Sequence, residues 1–366
     1  MKRDQLLASI EKFLILYVFA SIFLVLLVVY FVTKPKPAST NIDEIQQSIV
    51  IGVSLDDVKN IEIYKEKADK KIEMRFTKQD GKWYIPTHFN CNGNASRIEQ
   101  IIKDMLEMQG KVQATGEHLF DRFEIDDHQG IHILLKDEAD KALANLIIGK
   151  KGEDYGTSFV RFAGRDKIFS ADKNIISTLR IYGEVDTLTT FKVNNFVNLT
   201  AVEFEKDDLV TIGLVQKGKG ITLKRETREV KVETTEADSV SAEPEMKSEN
   251  FWAITEPRRI ELDQKEVEKC LNDIRRISGQ KVVDRIGDNL LTDSGKYSTY
   301  GLNNPTGYIA FFTEDGSRTD VRFGREFEKD KGYYFMNQND GLVYEVTKFN
   351  YDRIFKWIKD LPEKKK

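Results

Sequence analysis

Two stretches of this chain, 177 residues apart, follow the same order of residue types. Residues 123–135 read FEIDDHQGIHILL, and residues 300–312 read YGLNNPTGYIAFF. In each stretch an aromatic and an aliphatic residue lead into small polar residues, then a glycine, then an apolar run. A phrase repeated over such a distance indicates a folding unit that is written twice. The chain is therefore predicted to contain two related units in tandem.

A tryptophan-containing strand and an amphipathic helix precede the phrase in both units. GKWYIP (81–86) leads into the first helix, and NFWAITEP (250–257) leads into the second. Asn94 and Asp263 stand at the two helix starts, where their side chains are good N-caps. Apolar residues then recur at the spacing of one helix face. The two stripes are Ile98, Ile101, Ile102, Met105 and Met108, and Val267, Cys270, Leu271, Ile274 and Ile277.

The remaining pattern indicates antiparallel sheet. Residues 71–76, KIEMRF, alternate between polar and apolar side chains, as a strand with one buried face does. Apolar runs separated by turn residues predict hairpins at 157–169 and 332–344. The predicted fold class is α+β, with two tandem repeats of an antiparallel sheet packed with an amphipathic helix.

The repeats are predicted to span 51–182 and 183–362. The first strand of the second repeat is left open between LTAVEF (199–204) and LVTIGL (209–214). Residues 226–250 hold eight acidic and three basic residues and few aliphatic ones, so a mobile acidic insert is predicted there, with a cation or partner site as the alternative. A basic tail, 363–366, is expected to lie in solvent.

An uncharged apolar run covers residues 13–33. A helix of this length spans roughly 31 Å, about the thickness of a hydrocarbon core. The run is longer than the apolar core of a cleaved signal peptide. It therefore predicts an N-terminal transmembrane helix that contacts the lipid bilayer, with a short head at 1–12 before it and a spacer at 34–50 after it.

Charge indicates how this helix would be oriented. Lys2, Arg3 and Lys12 precede the run, and Lys34 and Lys36 follow it. The excess before the run places the N-terminus inside the cytoplasm. The bulk of the chain is then extracytoplasmic. The net charge of −4 gives no basic stripe of the kind that nucleic-acid binding requires, so no nucleic-acid partner is expected.

The ordered series of motifs resembles one family. After the apolar run come the two tryptophan-to-proline strands, then YGLNNP (300–305), VRFGRE (321–326), GYYFM (332–336) and GLVYEV (341–346). This series is similar to that of the DUF4340 family, which are bacterial membrane-anchored proteins of unassigned function, and the likeness covers about residues 50–360. The first copy departs from the pattern, since FEIDDHQ lacks the glycine and the proline.

The resemblance implies a setting rather than a reaction. Genes of the family often lie beside those of ABC-type transporter permeases and an auxiliary membrane protein of the gliding-motility kind. The resemblance therefore implies that this chain is an accessory component of an ABC-type transport or cell-envelope complex, in the bacterial inner (cytoplasmic) membrane. It supplies no catalytic residue, and neither an enzyme nor a cofactor is expected.

The segment DDHQGIH is the most tempting metal site. His128 and His132 are four residues apart, with Asp126 and Asp127 beside them, and on a helix such histidines can share one face for zinc. Gly130 and the strand-like residues after it indicate a turn instead. The second copy carries Asn303, Asn304 and Pro305 in place of the two aspartates and His128. What the copies share is turn chemistry, so a turn without a metal is predicted.

Two further groups of residues bear on function. Tyr333 and Tyr334 are candidate contacts for an alternative hypothesis, in which a cleft between the repeats binds an envelope glycan or lipid. Cys270 lies on the apolar helix stripe, where a buried small side chain explains it better than a nucleophile does. Cys91 has no catalytic motif around it, and the repeat argues against a disulfide between the two cysteines.

Overall fold

The computed structural model describes residues 18–29, 46–67, 70–152, 154, 156–181, 191–231, 246–287 and 294–360. The chain divides into two compact units, Met1–Ile45 and Gln46–Lys366. In the first unit, residues 18–29 form helix α1, and its large apolar side chains are exposed, Phe19 by 68% and Leu24 by 65%. Within the described ranges, no helix is both long and apolar enough to cross a membrane.

Several predicted segments lie outside the described residues. These are the head at 1–12, the two ends of the run at 13–33, the spacer up to residue 45 and the basic tail at 363–366. The last residues of the predicted spacer are described, and they belong to the fold. Gln47 and Ser48 pair as a short strand with Gly110 and Gln109, and the Ile49 amide donates to Met108 O at 3.0 Å. The chain is therefore already part of the folded second unit before residue 50.

The second unit contains a ten-stranded sheet whose neighbouring strands are all antiparallel. The strand order is β1-β6-β10-β9-β8-β7-β2-β3-β4-β5. The strands are β1 (Gln47–Ser48), β2 (Asn60–Lys67), β3 (Lys70–Gln79), β4 (Lys82–Ile85), β5 (Cys91–Asn92), β6 (Gln109–Thr115), β7 (Ile131–Lys136), β8 (Ala142–Lys151), β9 (Ser158–Phe162) and β10 (Lys167–Ala171).

A nine-stranded antiparallel sheet follows, in the order β15-β14-β13-β12-β18-β19-β20-β21-β17. A separate pair joins β11 (Thr200–Glu203) to β16 (Arg276–Ser278). The strands of the nine-stranded sheet are β12 (Leu209–Gln216), β13 (Lys219–Lys231), β14 (Met246–Glu256), β15 (Ile260–Glu261), β17 (Lys281–Arg285), β18 (Gly307–Thr313), β19 (Arg318–Glu328), β20 (Gly332–Asn337) and β21 (Leu342–Thr347).

The two sheets share one strand order. Read from β5, the first sheet runs β5-β4-β3-β2-β7-β8-β9-β10-β6, and the second runs β15-β14-β13-β12-β18-β19-β20-β21-β17. Strand β12 therefore takes the place of β2. Of the two starts left open for the second repeat, the one at LVTIGL (209–214) corresponds in topology, and LTAVEF (199–204) contains the outlying strand β11.

The helices agree with the sequence pattern. All ten residues of the two predicted stripes are at most 2% exposed. Asn94 Oδ1 accepts from the Arg97 amide at 3.1 Å, and Asp263 Oδ1 accepts from the Lys265 amide at 2.9 Å, so both predicted N-caps are confirmed. The helices of the second unit are α2 (Ala95–Glu107), α3 (Phe120–Phe123), α4 (Ile175–Thr178), α5 (Gln264–Ile274), α6 (Ser294–Thr299) and α7 (Lys348–Phe355).

The ends of the predicted acidic insert are strands, contrary to the predicted loop. Residues 226–231 of β13 pair with residues 246–251 of β14. Arg228 explains part of the difference, because it binds Glu249 at 3.1 Å and Glu261 at 3.0 Å and lies over the Phe251 ring at 4.8 Å. Glu249 thus pairs with Arg228 across the two strands. Residues 232–245 lie outside the described ranges.

Candidate functional site

The DDHQGIH segment forms the turn between α3 and β7, as its turn chemistry predicted. Asp126 Oδ1 accepts from the amides of His128 at 2.7 Å and Gln129 at 2.9 Å, and the Gly130 amide donates to Asp126 O at 3.0 Å. A Cβ atom at Gly130 would lie 2.3 Å from the side chain of Ile147. The sequence needs glycine here because the turn passes directly over β8.

The four candidate metal ligands are used in different directions. His128 is exposed, and its Nδ1 lies 3.9 Å from Glu66 Oε2. The Asp126 oxygen closes the turn, Asp127 Oδ1 lies 2.5 Å from Arg161 Nη2, and His132 Nε2 lies 2.8 Å from Asp127 O. Within the described ranges, no group of three or more His, Cys, Asp or Glu side chains is placed to hold a metal ion.

His132 is packed as a neutral ring. It is 5% exposed and stacks on Tyr64, with ring centroids 4.5 Å apart and an interplanar angle of 13°. Burial lowers the pKa of His132, and the hydrogen bond to Asp127 O only partly opposes this. A carbonyl acceptor requires the proton on Nε2, so Nδ1 is left buried without a hydrogen-bond partner. The ring therefore supports the turn instead of presenting an open basic site.

Arg161 organises this turn, and the sequence reasoning did not single it out. It is 2% exposed, its Nε donates to Ile125 O at 2.6 Å, and its guanidinium lies 4.2 Å from the Phe120 ring centroid. With the bond to Asp127, one planar group holds the start of the segment. The available signal was weak: Arg161 is the one charged residue in SFVRF (158–162), and in an apolar strand such a residue needs a partner.

Tyr333 and Tyr334 do not form a shared binding surface. Tyr333 stacks on Tyr351 at 4.0 Å, and its hydroxyl donates to Glu326 at 3.0 Å. Tyr334 packs edge-on against Tyr300 at 4.9 Å. As neighbours on β20, the two rings point to opposite faces of the sheet. Each is half-buried and already has an aromatic partner.

Both cysteines are buried and free, as expected for cysteines without a bridge. Burial raises the pKa of each thiol, of Cys91 and of Cys270, to about 12. The thiolate is the nucleophilic form of cysteine, and at neutral pH these groups remain protonated. Neither residue is positioned for thiolate chemistry.

A second polar cluster joins the two sheets, and sequence reasoning missed it as well. Arg285 of β17 donates from Nε to Phe89 O at 2.7 Å and from Nη2 to Asn90 O at 2.9 Å. Its Nη1 donates to Asp340 O at 2.6 Å. Phe89 and Asn90 both have positive φ, 56° and 47°, which is uncommon outside glycine. Arg285 therefore holds a left-handed turn of the first sheet against the second.

Two hollows flank the hairpin turn at Asp80 and Gly81 of the first sheet. One has a volume of about 600 Å³ and includes Lys59 and Lys78, and the other, of about 420 Å³, includes Asn92 and Asn198. Trp83 borders the second hollow but is only 2% exposed. A ligand there would meet lysine and amide groups, without an aromatic face on which to stack.

Comparison with known proteins adds one family. Residues 83–250 match the family described as "Domain of unknown function (DUF4340)". The chain is similar to the DUF4340 family over this part. The resemblance seen in the sequence is thereby confirmed over 83–250, within the wider range of about 50–360. No curated protein and no solved structure matches the chain.

The DUF4340 match begins in β4 and ends in β14. It includes the turn at Asp126–His132 together with Arg161, and it also includes Phe89 and Asn90. Arg285 and the two tyrosines of β20 lie beyond it. The DUF4340 segment thus crosses from the first sheet into the second and does not end between the two.

Proposed function

We propose that this chain is a single-pass membrane protein whose folded unit lies outside the cytoplasm and acts by binding. The observation that carries the proposal is helix α1. Its large apolar residues are 40–68% exposed, with aliphatic and aromatic side chains on every face. An apolar helix whose side chains are exposed is stabilised by a lipid environment. The uncharged run at 13–33 extends beyond α1 in both directions and supplies the length for a span.

We also propose that the folded unit consists of two tandem repeats of one α+β unit. The shared order of nine strands supports this reading, as does the equivalent placement of α2 and α5. Two copies of one unit carry different side chains at equivalent positions. At the spacing of 177 residues, the exposed Asp127 and His128 of the first copy correspond to Asn304 and Pro305 of the second. The copies would therefore present different surfaces to a partner.

The proposed role is that of an accessory component of an ABC-type transport or cell-envelope complex, as the resemblance to DUF4340 implies. Anchoring confines the folded unit to the membrane surface and raises its effective concentration toward a permease there. The alternative, a glycan- or lipid-binding cleft contacted by Tyr333 and Tyr334, gains no support from the packing of those rings. No catalytic step is proposed.

The orientation can be tested with a membrane-impermeant maleimide. Phe349 is 74% exposed, so Phe349→Cys presents a reactive thiol, while the buried Cys91 and Cys270 give little background. In spheroplasts, Phe349→Cys is expected to be labelled without lysis. Lys2→Cys is the matched control and is expected to react only after lysis. The reverse pattern would refute the extracytoplasmic placement.

The partner can be tested by quantitative co-purification of the full chain from native membranes after mild cross-linking. A permease enriched over an unrelated single-pass protein of equal abundance is expected. If only abundant membrane proteins are recovered, at the level seen with the unrelated anchor, the accessory role is rejected. The result of the Phe349→Cys labelling would remain valid in that case, because it measures only on which side of the membrane the folded unit lies.

A further inference from the structure

Strands β13 and β14 continue as a two-stranded ribbon past the rest of the second sheet. Strand β12 pairs with β13 only up to Lys224, whereas β13 and β14 pair as far as Lys231 and Met246. The equivalent hairpin of the first sheet turns at Asp80 and Gly81. The ribbon is thus a feature of the second sheet, and the arginine contacts of Arg228 described above hold it together.

The outer edge of β14 is open along residues 246–250, which are all exposed. On that side β15 pairs only with Ala253 and Ile254. The next residue toward the ribbon, Trp252, is covered by a side chain: its amide donates to Gln264 Oε1 at 2.8 Å, and its carbonyl accepts from Gln264 Nε2 at 2.9 Å. Within the described ranges, no strand pairs with β14 on this side before Ala253.

The contact with Gln264 shows which backbone groups point outward. Both the N–H and the C=O of Trp252 face away from β13. In a regular antiparallel pair this direction alternates with every residue, and the pairing of β13 with β14 has no register shift from Glu226 to Lys231. Met246, Ser248 and Asn250 therefore also present their N–H and C=O groups outward. They form a row of unsatisfied edge groups that another strand can bind.

The charged side chains of β14 indicate which strand can bind this edge and in which register. A second copy of β14 can add antiparallel about a two-fold axis through residue 247, 248 or 249. Centring on Lys247 or on Glu249 sets like charges opposite each other, which is unfavourable. Centring on Ser248 sets Lys247 of each chain opposite Glu249 of the other. Lys247 has no acidic partner among the described residues, so this register supplies one.

We propose that two copies of this chain associate through the outer edges of their β14 strands, paired antiparallel about Ser248. The Ser248 residues would exchange two backbone hydrogen bonds, and each Met246 would do the same with Asn250 of the other chain. The two ribbons then form a continuous four-stranded sheet. Strand addition of this kind uses main-chain bonds for affinity and flanking charges for register. The pairing does not depend on the membrane anchor.

The register can be tested by cross-linking the full chain in detergent at micromolar concentration. Opposed residues of a hydrogen-bonded antiparallel pair have Cα atoms about 5.5 Å apart, within disulfide range. Ser248→Cys is expected to form a covalent dimer under mild oxidation. Glu229→Cys, on the opposite edge of the same ribbon, is the control and is expected to remain mainly monomeric.

A charge reversal tests the role of the flanking residues. In the Ser248→Cys background, Lys247→Glu is expected to lower the dimer yield about tenfold at low salt, because two attractive cross-strand pairs become repulsive. Raising the salt concentration is expected to restore much of the yield, because salt screens the repulsion. Glu249 is left in place because it binds Arg228 within the ribbon. Equal cross-linking of the 248 and 229 cysteines, or no restoration by salt, would overturn the proposal. A covalent adduct with a different protein in place of the dimer would also overturn it and would identify a foreign strand as the occupant.

Discussion

Asp340 is a half-buried residue at the junction of the two sheets, beside Arg285. Burial raises its pKa from an ordinary value of 3.8 to about 6, against the hydrogen bonds from the Leu342 amide and the Tyr344 hydroxyl. A raised pKa means that the folded state favours the neutral form. The contribution of Asp340 to the free energy of unfolding is therefore fully present below pH 3.8 and is lost as the pH rises toward about 6.

We therefore expect Asp340→Asn to stabilise the protein above pH 6, by at most about 3 kcal/mol, and to have little effect near pH 4. The measurement is the free energy of unfolding in urea as a function of pH. The exposed residue Asp166 gives the control variant, Asp166→Asn, which tests a general change of charge. If Asp340→Asn shifted stability equally at all pH values, the burial argument would be wrong.

Arg161 is expected to stabilise the protein by holding the turn that contains Asp127. Arg161→Met removes the donor to the buried Ile125 carbonyl, and leaving such a group unsatisfied costs about 1–3 kcal/mol. Amide exchange at His128 and Gln129 should also become faster, because the turn loses its bond to Asp127. Arg165→Met, at an exposed position three residues after β9, is the control. Equal effects of the two variants would show that Arg161 has no special role.

At the residue scale, the sequence predicts what depends on local chemistry. The N-caps Asn94 and Asp263 and the turn at Asp126 could be recognised because their partners lie two or three residues away. Arg161 and Arg285 bind carbonyl groups 36 and 196 residues distant. Spacing along the chain carries no information about such contacts, so the two residues that organise the polar clusters could not be predicted.

At the element scale, the ribbon of β13 and β14 depends on pairs across its strands. Arg228→Ala removes the contacts to Glu249, Glu261 and Phe251 at once. We expect faster amide exchange at Lys247 and Glu249, whose amides face β13, with no change in the midpoint of global unfolding, since the ribbon lies outside the core. Lys247→Ala is the control on the same ribbon. A fall in global stability with Arg228→Ala would show that the ribbon is coupled to the core.

The same ribbon explains where prediction of elements failed. Amphipathic helices and the hairpins at 157–169 and 332–344 were predictable, because their apolar periodicity and turn residues are local. The stretch at 226–250 has few apolar residues, so its composition indicated a loop. Its ends are strands because they pair in register, with Arg228 opposite Glu249, and cross-strand register cannot be obtained from composition.

At the scale of the whole molecule, the two sheets share one apolar core, which includes Ile61 and Phe76 of the first sheet and Phe311 and Phe335 of the second. The predicted boundary between residues 182 and 183 lies outside the described residues. Beyond it, Gly93 and Val197 form a bridge, and the Asn94 amide donates to the carbonyl of Phe196 at 2.6 Å. Phe196 and Val197, which the prediction assigns to the second repeat, thus bind the first sheet.

Phe196 gives the test of this integration. Its side chain is 1% exposed and lies 5.5 Å from the Phe76 ring, so Phe196→Ala leaves a cavity under the first sheet. Such truncations cost about 3–5 kcal/mol. Because the core is continuous, we expect both sheets to lose stability together in one cooperative transition.

The measurement is urea unfolding followed both by tryptophan fluorescence and by amide exchange in each sheet. Phe349→Ala, at a side chain that is 74% exposed, is the control and should change stability very little. Two separate transitions in Phe196→Ala, with the second sheet unaffected, would show that the halves fold independently and that the boundary at 182 is a real domain boundary. A single shifted transition would instead show that the two sheets unfold as one cooperative unit.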